Sequence, residues 1–246
     1  MLDLIDFTSY LDHVRADGER LILVARDCLD APVPPCPGWT VQDLVTHVAE
    51  VYEHKLACTL LQRQPDPWPP QWAAQRDPLE WFVDAHQRLL ALFTECGPLA
   101  PSHTWWPGDQ TVGFWARRMA QETVIHRIDA ELSCGQSSPI APELAVDGVD
   151  EVLVVFLAGD WSEAPFDECQ GQSVVVRTGG RAWEVQLLRG AVSVSQPHGG
   201  EVAEVSGEPA AVLLWLWGRG PLRELRHSGD SAVPALLRDR LRLATQ

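Results

Sequence analysis

The strongest constraint on the fold of this chain is a change of hydrophobic period near Gly159-Asp160-Trp161. Before that point apolar residues recur at helical spacing. After it, residues 172–178, 181–188 and 191–195 alternate in short, β-branched runs parted by glycines. The first pattern suits elements with 3.6 residues per turn, the second a pleat of period two. Helices followed by strands imply an α+β arrangement or two separate domains. With 246 residues, 46% of them hydrophobic, the chain can give each part a core. We therefore expect a helical bundle over residues 1–158 and a small α+β domain over 159–246.

Within the first part, helices are expected over 7–29, 41–64, 78–96 and 111–133, with a fifth over 143–157. Prolines from Pro32 to Pro37 forbid helix there. Thr40 then offers an N-cap, with Asp43 three residues on to complete an approximate capping box. Pro65–Gln75 and Ser102–Gln110 read as loops. In the second part, 172–178, 181–188 and 191–195 form an antiparallel meander, 201–206 a further strand, 208–217 an apolar helix and 233–244 a terminal helix with an arginine-rich outer face.

Charge narrows the function. The formal net charge is −15. Residues 1–160 hold 24 acidic and 10 basic side chains, and the rest 10 and 9. Nucleic acid is excluded as a partner, since phosphate binding needs a basic face. Lys55 is the only lysine, against 18 arginines. The six cysteines contain no Cys-x-x-Cys pair, which argues against a structural zinc site or a redox dithiol. The N-terminus has no signal-peptide pattern and no run is long enough to span a membrane. We expect a cytoplasmic protein with reduced thiols.

Glu122 and His126 lie four apart, so on a helix they project from one face, one turn apart. Such a pair can bind a divalent metal from one rigid element, and His47, in the second expected helix, is a candidate third ligand. Three protein ligands leave a coordination position open, as catalysis at a metal requires. The spacing alone better fits a solvated i,i+4 contact. The apolar surroundings (Trp115, Met119, Val124, Ile125, Ile128) favour a buried pair that needs partners. Asp129 is either a hydrogen-bond acceptor that orients His126 or a surface charge. His54, seven residues after His47 and nearly on its face, could replace or join it as a ligand, but is expected at a cavity rim or bonded to Glu50. Of the 11 tryptophans, Trp39, Trp105 and Trp106 sit in loops and are the better pocket candidates.

Three segments resemble the mycothiol-dependent maleylpyruvate isomerase family: Cys36-Pro37-Gly38-Trp39-Thr40 through His47, Glu122-Thr123-Val124-Ile125-His126-Arg127-Ile128-Asp129-Ala130, and Val205 through Arg219. The resemblance implies a DinB-like four-helix bundle with a small C-terminal α+β domain of sterol-carrier-like type. It implies a metal, typically zinc, held by His47, Glu122 and His126, and mycothiol as thiol cosubstrate for a small electrophile. Arg219 is a candidate catalytic group that holds a substrate carboxylate with its guanidinium fork. As a residue at a helix C-terminus it equally suits the dipole there. The outcome is isomerisation or thiol transfer. The non-enzymatic alternatives are a structural or sensing module that binds metal or ligand, or a buried hydrogen-bonded pair with no metal.

Overall fold

In the computed structural model, residues 5–200 and 202–245 are described. Four helices make the first unit: α1 (Phe7–Ala25), α2 (Val41–Leu61), α3 (Pro78–Cys96) and α4 (Val112–Ser133). Their starts follow from local chemistry. Asp6, Thr40, Asp77 and Thr111 each accept a backbone N–H of the first turn through the side chain. At Thr40 the capping box closes fully, with Asp43 accepting from the Thr40 N–H at 2.8 Å. The first two helices end earlier than expected, α1 at Ala25 and α2 at Leu61, where Gln62 turns left-handed at φ 55°.

Most of α4 is buried, including Arg117, Arg118, Gln121, Arg127, Asp129 and Glu131. It packs along α1 and α2. The charges facing α1 are paired. Arg127 donates from Nε to Asp17 at 3.0 Å and from Nη1 to Glu131 at 3.0 Å, while Arg20 reaches Glu131 at 2.8 Å. Charges withdrawn from water need such partners.

The expectation of reduced thiols is corrected at one pair. Cys28, just past α1, and Cys134, at the C-cap of α4, form a disulfide with Cα atoms 6.2 Å apart. They stand 106 residues apart in sequence, so no local spacing marks them. Cys36, Cys58, Cys96 and Cys169 are free.

The units divide at Ser138/Pro139, earlier than the boundary expected near residue 158. The reason is α5 (Pro142–Glu151), which continues as a π-helical turn over Val152–Leu157 and packs with the second unit. There it contacts α6 (Pro209–Leu216). Trp183 donates from its indole to Asp150 of α5 at 2.9 Å.

The second unit holds one sheet of six strands: β1 (Gly159–Asp160), β2 (Gln172–Thr178), β3 (Arg181–Leu188), β4 (Ala191–Ser195), β5 (Ala203–Ser206) and β6 (Arg226–Ser228), ordered β1-β4-β3-β2-β5-β6. The meander β2-β3-β4 is antiparallel, as its glycine turns require, and β5 joins β2 in parallel. Register places Val174 against Val185 and Val176 against Trp183, so the buried face is continuous. The terminal helix α7 (Ala232–Ala244) packs on β2 and β5. Its outer face is not wholly arginine-rich. Arg240 is buried, stacked at 4.4 Å over the Trp161 ring and donating to the Ala164 carbonyl at 2.9 Å. Among the described residues no helix is long and apolar enough to cross a membrane.

The β2–β3 turn is Gly179-Gly180, with φ +54° and +76°. A methyl group on Gly179 would run into Val146 of α5, whereas one on Gly180 meets nothing within 4 Å. Both alanine substitutions carry the left-handed backbone penalty of about 1 kcal/mol. Gly179→Ala adds an overpacking cost of about 1–3 kcal/mol. Urea midpoints of the two variants should differ by that margin, and equal midpoints would show that α5 does not rest on this turn.

Candidate functional site

The site forms where α2 and α4 face each other. The closed capping box sets the first turn of α2, and His47 follows on that helix. Its Nε2 lies 3.1 Å from Oε1 of Glu122 on α4. One turn further, His126 brings its Nε2 to 3.3 Å from the same oxygen. Three donor atoms from two helices thus lie within 4.8 Å of one another. The sequence-derived trio is brought together.

Each member has a fixed neighbour. Glu122 Oε2 accepts from Nη2 of buried Arg118 at 2.9 Å. His126 Nδ1 lies 3.1 Å from Oδ2 of Asp129, which is wholly buried. Asp129 therefore takes the orienting role of the two readings offered for it. A carboxylate in contact keeps the proton on Nδ1 and leaves Nε2 facing Glu122. Trp39 stands 5.0 Å from the His47 ring, and the two imidazoles meet at 5.1 Å, nearly edge to face. Beneath the trio Tyr52 and Thr123 share a hydrogen bond between hydroxyls.

Burial opposes charge on both His126 and Glu122, yet their mutual attraction outweighs it. His126 is raised to about 9 by Glu122 and by its bond to Asp129. Glu122 is held well below the usual carboxylate range by His126, His47 and Arg118. The arrangement is an ion pair set between two helices, and strongly shifted groups of this kind make it a candidate functional site. One imidazole is half exposed and one is buried, so ligands entering here would approach from the His47 side.

The other candidates sort differently. His54 does not bond to Glu50. Its Nδ1 lies 3.2 Å from Lys55 Nζ and 3.5 Å from Cys58 Sγ, and Trp68 meets its ring edge-on at 5.0 Å. Trp105 and Trp106 pack on Phe114. Arg219, in the second unit, donates to the Trp217 carbonyl at 2.6 Å, which satisfies an acceptor at the end of α6. Sequence reasoning passed over Arg118 and Cys36. Cys36 lies 3.9 Å from Asp129, and Arg118, four residues before Glu122, carried a signal in its spacing.

A four-helix unit with a convergent His-Glu-His set, followed by an α+β unit, defines the class of protein. Two family models match this chain: the mycothiol maleylpyruvate isomerase N-terminal domain over residues 11–131 and the corresponding C-terminal domain over 143–236. The chain belongs to the mycothiol-dependent maleylpyruvate isomerase family. The crystal structure of a mycothiol-dependent maleylpyruvate isomerase superposes with a TM-score of 0.61 at 16% identity, covering 93% of this chain and 96% of that one. A histidine-to-alanine mutant of such an isomerase gives 0.59 at the same identity and coverage. A search of curated protein sequences returned no match.

Two outcomes follow. Asp129→Asn should weaken binding of a divalent metal about 10–100-fold, as loss of a ligand's orienting partner does. Competition against a chromophoric chelator reads this directly, and unchanged affinity would remove Asp129 from the site. His54, pushed by burial down to about 4 from 6.5, stays neutral in the fold while the unfolded chain takes up the proton. Its contribution to stability is complete above about pH 6.5 and declines as pH falls toward about 4. The urea midpoint of wild type should therefore fall relative to His54→Gln over that range. Parallel curves would mean that His54 is not shielded.

Proposed function

We propose that this protein is a thiol-dependent enzyme of the maleylpyruvate isomerase type, with His47, Glu122 and His126 as ligands of a divalent metal and mycothiol as cosubstrate. The observation that carries the reading is a single carboxylate oxygen facing two imidazole nitrogens from different helices. Two nitrogen donors and one carboxylate oxygen suit zinc, which takes such a set of two histidines and a glutamate with one position left open. When bound there, the metal supplies positive charge that keeps a thiol deprotonated near neutral pH.

The protein's own groups do the rest. Asp129 holds the proton on His126 Nδ1, so that Nε2 offers its lone pair. Arg118 fixes Glu122 through Oε2 and leaves Oε1 for the centre. Trp39 walls the His47 side. The thiolate adds to an electrophilic carbon of the substrate. With an alkene conjugated to a carbonyl, the new C–S bond makes the former double bond single. Rotation about it and expulsion of the thiolate return the trans alkene and the thiolate, with no net proton change. Retention of the C–S bond, with a proton taken up from water at the carbon beside the carbonyl, gives net thiol transfer to the substrate instead. Family membership supports the first outcome, as does the name of the isomerase that shares the fold. Arg219 belongs to the proposal as a holder of a substrate carboxylate, supported by guanidinium chemistry and by the match of the C-terminal domain model.

Elemental analysis of purified protein should give one metal per chain, lost in His126→Ala. The wild type should accelerate thiol-dependent isomerisation, and His126→Ala should lower kcat/KM about a thousandfold or more. Full metal occupancy with no thiol-dependent turnover across a broad panel of electrophiles would leave a binding module. Absence of metal would leave only the hydrogen-bonded cluster.

A further inference from the structure

Lys55 is the only lysine of the chain, and its placement is unlike that of a surface lysine. It is half-buried on α2, and its ammonium sits 4.6 Å above the ring of Trp115, itself 1% exposed. It also donates to Nδ1 of His54 at 3.2 Å. Among the described residues it has no ion-pair partner, although the chain has 34 acidic side chains. A lysine that merely covers apolar surface leaves its head in water. This head rests on a buried indole and a neutral imidazole instead.

Its position relative to the trio adds meaning. Trp115 and Glu122 lie seven apart on α4, on the same face and about 10 Å apart along the axis. His47 and Lys55 sit two turns apart on α2 and meet that face in the opposite order. Arg118 lies between Trp115 and Glu122 and spends one guanidinium nitrogen on Glu122. The seam that carries the His-Glu-His set therefore continues into a cation without a carboxylate. Burial lowers Lys55 to about 8, with Glu122 and Cys58 pulling it up and Arg118 pushing it down. It is thus still mostly charged at neutral pH. A half-buried ammonium already freed from much of its water is well placed to take a carboxylate, because such a pair is screened less than one on the open surface.

We infer that Lys55 is an anion-binding residue that holds a carboxylate of the substrate. The inference rests on the proposed function for the identity of the seam as a substrate site, and it names a residue that positions the substrate there. His54 is the positioning partner, since its unprotonated Nδ1 holds the ammonium over Trp115.

A single lysine makes the test direct. The holoprotein is treated with an amine-acylating reagent, and modification of the Lys55 peptide is timed by mass spectrometry, where the N-terminal amine is resolved separately. Maleate, a small dicarboxylate, should slow acylation of Lys55 about fivefold or more, while neutral maleamide leaves it unchanged. Equal rates overturn the assignment, as does a Lys55 that no reagent reaches. In turnover, Lys55→Met should raise KM for a carboxylate electrophile about tenfold with kcat little changed, and Lys55→Arg should recover part of the loss. The methyl ester of the same electrophile should not distinguish wild type from Lys55→Met. Equal losses on acid and ester would assign Lys55 a structural role and overturn the inference. Protection by maleate in a protein without thiol-dependent turnover would sink the catalytic reading and leave the anion site standing. Turnover without protection would do the reverse.

Discussion

The first unit is organised around one oxygen atom. Glu122 Oε1 faces His47 from α2 and His126 from its own helix, and both lie near 3 Å. A carboxylate moved from water into a helical interface carries a desolvation cost that only well-aligned partners offset. Here the partners come from two directions. His47 ties α2 to α4 at this level, and Arg118 closes the second oxygen. Remove Glu122 and three cationic or polar groups lose their common acceptor. Nε2 of His126, buried in the α2–α4 seam, would then lose its acceptor, at a cost of about 1–3 kcal/mol. The geometry of the candidate site and the packing of these helices are the same interaction.

On its α1 side α4 repeats the arrangement with different chemistry. Arg127 reaches Asp17 and Glu131, Arg20 returns to Glu131, and Ser138 donates its hydroxyl to Glu131 at 2.6 Å. Burial raises Asp17 even against the attraction of Arg127, a sign of how little water remains there. Ionic contacts depend on angle and distance far more than apolar ones do, so they specify how α4 is rotated between its neighbours. That rotation in turn points Glu122 and His126 at α2. Breaking one buried pair leaves an uncompensated charge and costs about 3–5 kcal/mol.

Much of this could be read from the chain. The proline run from Pro32 to Pro37 followed by Thr40 and Asp43 marks the start of α2 because caps are local chemistry. Gly179-Gly180 marks a hairpin because positive φ is a glycine property. The strands β2, β3 and β4 fall where alternation placed them, and the His-Glu-His set converges because spacing of four is one helical turn. Features that depend on distant neighbours were hidden. Cys28 and Cys134 meet only after α1 and α4 pack. Arg240 looked like a solvent residue, yet Trp161 and Phe166 enclose it from far upstream. The helix Pro142–Glu151 looked like a fifth member of the bundle, because nothing in its own pattern tells which apolar surface it will cover. His54 was expected at a cavity rim or on Glu50, and its contacts are instead Lys55, itself held over Trp115, and Cys58.

The same contact geometry serves a hydrogen-bonded cluster and a metal site, and the charge around it weighs between them. With His126 protonated and Glu122 ionised the pair is neutral, and Arg118 and Asp129 beside it cancel as well. A divalent cation held by His47, Glu122 and His126 would require His126 without its second proton and would leave a net positive centre, which is unfavourable in a buried setting unless other acids compensate. Residues 1–138 would favour such a cation, with 19 acidic against 10 basic side chains, a field that lowers the energy of any cation held within it. Because surface charge is screened over about 10 Å at ordinary ionic strength, the compensation should come mostly from the nearest acids. Asp129 is the one in direct contact, and its charge is already set against that of Arg118. A carboxylate placed behind a histidine ligand therefore orients the ring, and the one positive charge left over would fall to acids farther out.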